Sequence, residues 1–462
     1  MTDMPDRIST GNAQADEILN GGFPANSINL IMGQPGTGKT IFAQQLAFHN
    51  ADDKHPILYL STLSEPISKV VKYIQAFPFF DIDKIGSAIQ YEDIGAELAK
   101  SGIDILVSRL KDALINTSPK IIIIDSFKPL HDLAKSVLEM RRMLFQLTGL
   151  LSACQTTVFL LGDYSADDEK VLPEFAIVDG IVQFMRSEQS TRDERFLRVR
   201  KLRGSGYREG AHGFSITSQG LDVYPRLVTP EIPENYVILQ ERTPSGVDGL
   251  DKVIGGGLWK GSSTLLTGAT GTGKTTLALQ FAIEGTRQGV RSLYVNFQEN
   301  PAQLARSIQN LSWREGEETI ESGLKLLYIS PVEVQIDSVV VRLFRMIQEQ
   351  DIGRVVIDSI GDLSMAASDP QRLHGYLYAL VQHFAVKGIT AMFVLQTGDL
   401  MSGFNMDFPM GRISYISDNI ISLALNDDKE PSLELTCTKS RGTARDMTSR
   451  KFHIAKDGLH IT

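Results

Sequence analysis

The chain has 462 residues with 42% hydrophobic and 22% charged side chains, a balance that argues against disorder and is ample for more than one packed core. A net charge of -9 leaves no global attraction for nucleic acid or an anionic membrane, and no apolar run approaches the roughly 18 residues of a membrane span. Cys154 and Cys437 cannot build a disulfide framework, and the polar start Met1 to Asp6 lacks signal-peptide features, so a reducing, cytoplasmic setting is expected.

Near the start, Gly21-Gly22 reads as a turn that launches a strand. The apolar run Ile28 to Met32 follows, then Gly33-Gln34-Pro35-Gly36-Thr37-Gly38-Lys39-Thr40, then the helix-like Ile41 to Phe48. This is strand, phosphate loop, helix. The glycines Gly33, Gly36 and Gly38, with Thr37, let successive backbone N–H groups turn inward around an anion, and the helix that follows presents its unpaired amides. Lys39 can reach the terminal phosphates, and Thr40 can offer its hydroxyl to Mg²⁺. Ile57 to Leu60 is a short strand that ends in Ser61-Thr62-Leu63-Ser64-Glu65, which puts a carboxylate just past a strand's C-terminal end, where ligands bind in open α/β sheets. Glu65 is a candidate to orient or deprotonate an attacking water; the alternative is a carboxylate that merely favours the start of the next helix. Ile121 to Ile124 is a strand buried on both faces, closed by Asp125, the acidic residue of a Walker B strand and a Mg²⁺ partner for Thr40. Thr157 to Leu161 is a further buried strand before Gly162-Asp163, and Phe196 to Leu202 ends in Lys201-Leu202-Arg203-Gly204. Lys201 and Arg203 are either solvated strand ends or cations that act on a phosphate held by a neighbouring subunit.

Val228 to Glu241, with Pro230 and Pro233 and no helical period, reads as a linker. Beyond it the pattern returns. Gly11, Asp16, Gly22 and Lys39 recur as Gly246, Asp251, Gly257 and Lys274, all at one constant offset (246−11, 251−16, 257−22, 274−39). The second phosphate loop is Gly268-Ala269-Thr270-Gly271-Thr272-Gly273-Lys274-Thr275. Its companions are Gln298-Glu299 after Ser292 to Val295, Asp358 after Val355 to Ile357, the strand Thr390 to Leu395, and Lys439-Ser440-Arg441-Gly442. The loop lysine and the acidic strand end are separated by nearly the same length of chain in both copies (125−39 and 358−274). The expected architecture is α/β, with two tandem domains at 1–228 and 242–462 joined by 229–241, each a mainly parallel sheet flanked by helices. Lys39, Lys274, Glu65 and Glu299 are the candidate catalytic groups, and Thr40, Asp125, Thr275 and Asp358 the candidate Mg²⁺ holders.

Adenine is favoured over guanine because no Asn-Lys-x-Asp segment is present. A DNA-dependent recombinase or helicase is the competing enzyme reading. It fits poorly, since the basic run Arg186 to Arg208 is interleaved with acids, the loop Asp163 to Lys170 is acidic, and Asp399 to Arg412 has one basic residue. A nucleotide-switched signalling scaffold with negligible turnover is the reading from outside enzymology. Histidines lack metal-ligand spacing, so no zinc site is assigned.

The phosphate loops, the acidic strand ends, the segments Ile177-Val178-Asp179-Gly180 and Ile416-Ser417-Asp418-Asn419, and the Lys-x-Arg-Gly strands together resemble the KaiC family, the double-domain branch of the RecA-like P-loop ATPases. The resemblance covers nearly the whole chain. It implies two tandem RecA-like domains in stacked hexameric rings, ATP at the subunit interfaces with Lys201, Arg203, Lys439 and Arg441 acting in trans, hydrolysis in the N-terminal ring, and autophosphorylation with dephosphorylation in the C-terminal one. The family's phosphorylated Ser-Thr pair falls on Ser414-Tyr415, so Ser414 is the phosphorylation candidate; Phe175-Ala176 are the matching N-terminal residues. The family's paired glutamates fall on Ser64-Glu65 and Gln298-Glu299. The chain stops at Thr462, without the tail through which clock members bind their stimulating partner, so a non-clock bacterial relative with another regulatory protein partner is expected.

Overall fold

The computed structural model describes residues 6–63, 66–188, 193–310, 323–330, 332, 335–367, 369–396, 415–426, 431–443 and 446–462. Glu65 and Ser414 lie outside them, as do Ser64 and the stretch 399–412. The chain divides into two compact units, Met1–Arg226 and Leu227–Thr462.

In the first unit the strands of the large sheet are β1 (Ile28–Gly33), β2 (Ile57–Ser61), β3 (Ile89–Asp93), β4 (Ile121–Asp125), β5 (Thr157–Gly162), β6 (Gly180–Glu188), β7 (Asp193–Leu202), β8 (His212–Thr217) and β9 (Gly220–Tyr224). They form one sheet in the order β9-β8-β7-β6-β1-β5-β4-β2-β3. Pairs from β6 through β1 to β3 are parallel, and the β6 to β9 end is antiparallel. The parallel strands read as unbroken apolar runs because both faces are covered. Alternate residues point to opposite sides of a strand. Thus Ile31, Tyr59, Ile121, Ile123 and Phe159 pack with Phe42 and Leu46 of the helix Lys39–Asn50. Leu30, Leu58, Ile122, Ile124 and Leu160 pack on the other side with Leu106 and Leu110 of Asp104–Asn116 and Met140, Leu144 and Leu147 of Val137–Ser152.

The second unit repeats the plan. Its strands β10 (Ser263–Gly268), β11 (Ser292–Asn296), β12 (Leu324–Tyr328), β13 (Arg354–Asp358), β14 (Thr390–Gln396), β15 (Asn419–Asn426), β16 (Ser432–Ser440), β17 (Arg450–Ala455) and β18 (Gly458–Ile461) run in the order β12-β11-β13-β14-β10-β15-β16-β17-β18. This is the first order read from its other end. The stretch before its first strand belongs to this unit: Leu227 N donates to Tyr376 Oη at 3.3 Å, and Tyr236 Oη donates to the Ala385 carbonyl at 3.4 Å. Both sheets leave the phosphate-loop strand central, with the C-terminal ends of its parallel neighbours along one edge. That edge is where an open α/β sheet takes its ligand.

Candidate nucleotide-binding sites

Each phosphate loop leaves the end of a central strand whose residues are all buried, β1 in one unit and β10 in the other. The helices that follow, Lys39–Asn50 and Lys274–Arg287, are capped by Gly38 and Gly273 with φ of 99° and 88°, a left-handed backbone that glycine adopts at no steric cost. Gly33 and Gly268 are needed for another reason. A Cβ at Gly33 would lie 2.3 Å from the Phe184 carbonyl oxygen, and one at Gly268 would lie 2.5 Å from that of Leu423. The loops are tied internally in the same way, Thr37 Oγ1 to the Gln34 carbonyl and Thr272 Oγ1 to the Ala269 carbonyl, both at 2.8 Å.

The buried Lys39 curls back over its own loop, donating to the carbonyls of Gly33 and Gln34 at 3.0 and 2.9 Å and to Asp163 Oδ1 at 2.6 Å. Lys274 donates to the Ala269 carbonyl at 2.7 Å. Beside each lysine the loop threonine meets the acidic strand end: Thr40 Oγ1 donates to Asp125 Oδ2 at 3.1 Å, and Thr275 Oγ1 to Asp358 Oδ2 at 3.0 Å. A buried tyrosine reaches the same oxygen in both units, Tyr59 on Asp125 and Tyr294 on Asp358, each at 2.6 Å. Burial pushes both carboxyls above the usual carboxylate range, while the two hydroxyl donors and the loop lysine pull them back. Each phenol is driven well above its ordinary value, first by burial and then by the carboxylate it faces. Thr62 holds the residue after Asp125, donating to the Ser126 carbonyl at 2.6 Å and accepting from Ser126 N at 3.1 Å.

In the second unit Asn296 Oδ1 accepts from the amides of Gln298 and Glu299 at 2.8 and 3.1 Å, which fixes the turn carrying the glutamate. Gln298 Nε2 is drawn to Asp362, 3.0 and 3.1 Å from its two oxygens. Glu299 has one carboxylate oxygen buried without a hydrogen-bond partner, and its charge helps push up the Tyr294 phenol. It stands close to the Thr275, Asp358 and Tyr294 group.

The cations of the Lys-x-Arg strands lie elsewhere. Lys201 Nζ donates to the Phe175 carbonyl at 3.4 Å, and Arg203 pairs with Asp179 at 3.4 Å. The other oxygen of Asp179 accepts from Ile28 N, at the start of β1. In the second unit Lys439 Nζ donates to the Ser417 carbonyl at 2.6 Å and Arg441 pairs with Asp418 at 3.5 Å, while Asp418 Oδ2 accepts from Ser263 N. A bulge in β7 against Ile181/Val182, and one in β16 against Ile420/Ile421, re-aims each strand just before its lysine. Burial and then the neighbouring arginine lower the ammonium of both lysines. At about 3.3 Å per residue, the start of β1 is roughly 17 Å from its phosphate loop. These cations therefore sit on the edge opposite their own loop.

The donor set fits a magnesium nucleotide. The first glycine of each loop, Gly33 and Gly268, leaves no room for a Cβ, each loop threonine is held on an acidic strand end, and Glu299 carries an orphaned buried oxygen. Among the described residues no separate group of His, Cys, Asp and Glu could hold a metal ion. Sequence reading missed Tyr59, Tyr294 and Asp163. The tyrosines carried a signal, because their offset equals that of the loop lysines (294−59 against 274−39). Asp163 had none, since only the fold turns it toward Lys39.

Comparison with known proteins agrees with this geometry. The family model described as ATPase: KaiC matches residues 8–228 and 243–462. The Circadian clock oscillator protein KaiC of Picosynechococcus sp. is 28% identical over 461 residues, covering 96% of this chain and 87% of that protein. Circadian clock oscillator protein KaiC 1 of Synechocystis sp. is 28% identical over 463 residues with the same coverage of 96% and 87%. Circadian clock protein KaiC3 of Synechocystis sp. is 25% identical over 475 residues, covering 100% of this chain and 92% of its own.

Proposed function

This chain belongs to the KaiC family of ATPases, and from that premise we propose that it binds and hydrolyses Mg-ATP at both phosphate loops as a homo-hexamer with a regulatory role. The observation that carries the reading is the repeated group of loop lysine, loop threonine, acidic strand end and buried tyrosine around a loop whose first glycine leaves no room for a Cβ. The loop amides at Gly33 to Thr40 and Gly268 to Thr275 bind phosphate oxygens. Lys39 and Lys274 neutralise the terminal phosphates, and Thr40 with Asp125, and Thr275 with Asp358, hold Mg²⁺. Bound Mg²⁺ supplies charge neutralisation at the transferring phosphoryl group. Glu299 takes the role of water base, its unpartnered oxygen being free to accept a proton, and Glu65 is assigned the same role from its place in the sequence.

Lys201, Arg203, Lys439 and Arg441 act on the nucleotide of an adjoining copy. Their position at the opposite edge of the sheet supports this, because they are too far from their own loop to serve it. A protein partner for the assembly, and autophosphorylation at Ser414 in the second unit, rest on the family resemblance. The DNA-binding alternative is disfavoured by the basic run itself: Arg186 pairs with Asp193, Arg200 with Glu169 and Arg208 with Glu17, at 2.5, 2.6 and 2.6 Å. Among the described residues no helix is long and apolar enough to cross a membrane.

The test is to incubate the protein with γ-labelled ATP and follow released phosphate, protein-bound label and particle mass together. Lys39→Ala and Lys274→Ala should each remove one loop's share of the signal, and covalent label should vanish in Ser414→Ala. A particle that stays monomeric under saturating ATP, or retention of full phosphate release in the double lysine variant, rejects the proposal.

A further inference from the structure

The Lys-x-Arg strands of both units end in a glycine turn, Gly204 and Gly442 having φ of 72° and 66°. One arginine in each unit reaches that turn from far away in the chain. Arg7 and Arg242 begin two-residue ladders, Arg7–Ile8 against Phe23–Pro24 and Arg242–Thr243 against Leu258–Trp259. Their offset equals that of the loop lysines (242−7 against 274−39), so they are equivalent residues of the repeat. A guanidinium presents several donors in a fixed planar fork, and both arginines spread it over two segments. Arg7 Nη1 donates to the Gly22 carbonyl at 3.1 Å and to Ser205 Oγ at 2.9 Å. Arg242 donates through Nη1 to the Gly257 carbonyl at 2.7 Å and through Nη2 to Thr443 Oγ1 at 2.8 Å, with its guanidinium carbon 3.5 Å from the centre of the Trp259 ring.

The segments so joined carry the two halves of the site. Gly22 and Gly257, both at φ 108°, form the turn that leads toward β1 and β10, the strands of the phosphate loops. Ser205 and Thr443 follow Arg203-Gly204 and Arg441-Gly442 at one offset (443−205 against 441−203). A serine in one unit and a threonine in the other supply the same hydroxyl. Each hydroxyl is used twice: Ser205 Oγ also donates to the Gly206 carbonyl at 2.8 Å, and Thr443 Oγ1 also accepts from Trp259 Nε1 at 3.1 Å. From the other side the main chain is held by Asp179 and Asp418, whose carbonyls accept from Arg203 N at 2.9 Å and Arg441 N at 3.0 Å. Those aspartates in turn accept from Ile28 N and Ser263 N, so both anchors of the turn lead back to the entry of the phosphate-loop strand. The backbone is clamped, while the side chains of Arg203 and Arg441 stay 58% and 56% exposed, facing outward.

We propose that Arg7 and Arg242 are positioning residues for hydrolysis on the adjoining copy: each locks the turn behind the Lys-x-Arg strand to its own unit, so that the outward cations meet the neighbour's nucleotide in one place. The inference rests on the reading that Lys201, Arg203, Lys439 and Arg441 act in trans. Without its arginine the turn keeps one anchor of two, and the cations spread over more positions. Misplacing a catalytic group by about 1 Å costs up to about 10²-fold in rate, so the loss belongs in kcat and leaves KM nearly as it was. An arginine that merely stapled its ladder would instead damage its own unit.

The test is complementation between full-length chains, read as phosphate release. Arg242→Met keeps an apolar stem beside Trp259 and removes the fork. It should lower kcat at the second loop about tenfold or more, with KM for ATP changed less than about twofold. Mixed with Lys274→Ala subunits, whose loop is disabled and whose cations are intact, it should release phosphate well above the sum of the two preparations. Mixed with Arg441→Ala subunits it should regain nothing, because neither supplies a well-placed cation. Thr443→Val, which removes only the acceptor, should repeat this pattern, and Thr443→Ser should keep the parent rate; this pair decides the matter if Arg242→Met fails to fold. Arg7→Met mixed with Lys39→Ala subunits repeats the test at the first loop. Parent-rate release in either Arg242→Met or Thr443→Val, or slow release that Lys274→Ala subunits do not restore, overturns the positioning role. Parent-rate release in Arg441→Ala instead overturns the trans reading, and the proposal with it.

Discussion

Tyr59 Oη donates to Asp125 Oδ2 at 2.6 Å on the same oxygen that receives Thr40, and Tyr294 repeats the contact on Asp358. A carboxylate oxygen that holds two hydroxyl donors is oriented by them. Tyr59→Phe and Tyr294→Phe keep the ring in its packing and remove the donor. Losing one hydrogen bond to a charged group costs about 1.5–3 kcal/mol. The Mg²⁺ concentration needed for half-maximal nucleotide binding should rise at least tenfold, and metal-free nucleotide binding should stay as it was. An unchanged Mg²⁺ titration would show the tyrosines to be core residues only.

The cradle glycines make a graded series. Gly33→Ala and Gly268→Ala drive a methyl group into the carbonyls of Phe184 and Leu423, while a Cβ at Gly36 meets nothing within 4 Å and faces only its positive φ of 73°. Overpacking against backbone costs about 1–3 kcal/mol, and a left-handed alanine about 1–2. Thermal melts should rank Gly33→Ala and Gly268→Ala below Gly36→Ala. Equal melting temperatures across the three would contradict the steric account.

Glu299→Gln separates catalysis from stability. The carboxylate has one buried oxygen without a partner, so replacing it removes a charge that the fold does not satisfy. Phosphate release from the second loop should fall by about 10²–10⁴, as for loss of a general base, with ATP affinity retained and the melting temperature no lower. A variant that turns over at the parent rate would remove Glu299 from the mechanism.

Arg441 allows a mixing experiment. Its pairing with Asp418 at the start of β10 puts it on the far edge of the sheet from its own loop. Arg441→Ala and Lys274→Ala subunits, each inactive at the second loop alone, should regain phosphate release when mixed, since one supplies the loop and the other the cation. Trans arginines raise hydrolysis by about 10³–10⁵, so even sparse complementation is measurable. Mixtures no more active than the sum of their parts would place Arg441 with the solvated strand ends.

Periodicity and repetition carried most of what was legible beforehand. Unbroken apolar runs such as Ile121 to Ile124 announce strands covered on both faces, because a half-exposed strand would alternate. The glycine spacing of the loops announces a cradle, because only glycine tolerates both the left-handed turns and the carbonyl oxygens packed against Gly33 and Gly268. A single constant offset tied the two halves together, from Gly11 and Gly246 to Lys39 and Lys274. All of these are local properties, set by the backbone needs of a few consecutive residues.

Other features needed the sheet to form. The order β3-β2-β4-β5-β1-β6 brings Asp163, 124 residues from Lys39 in the chain, to within 2.6 Å of it. It also sends Arg203 and Arg441 to the edge away from the loops they follow in sequence. Residue types and their spacing thus determined by themselves that the chain would build two phosphate cradles. Which charges stand inside each cradle, and which face outward for another copy, was decided only by the tertiary structure, because a side chain's partner across a sheet depends on strand order and register and not on distance along the chain.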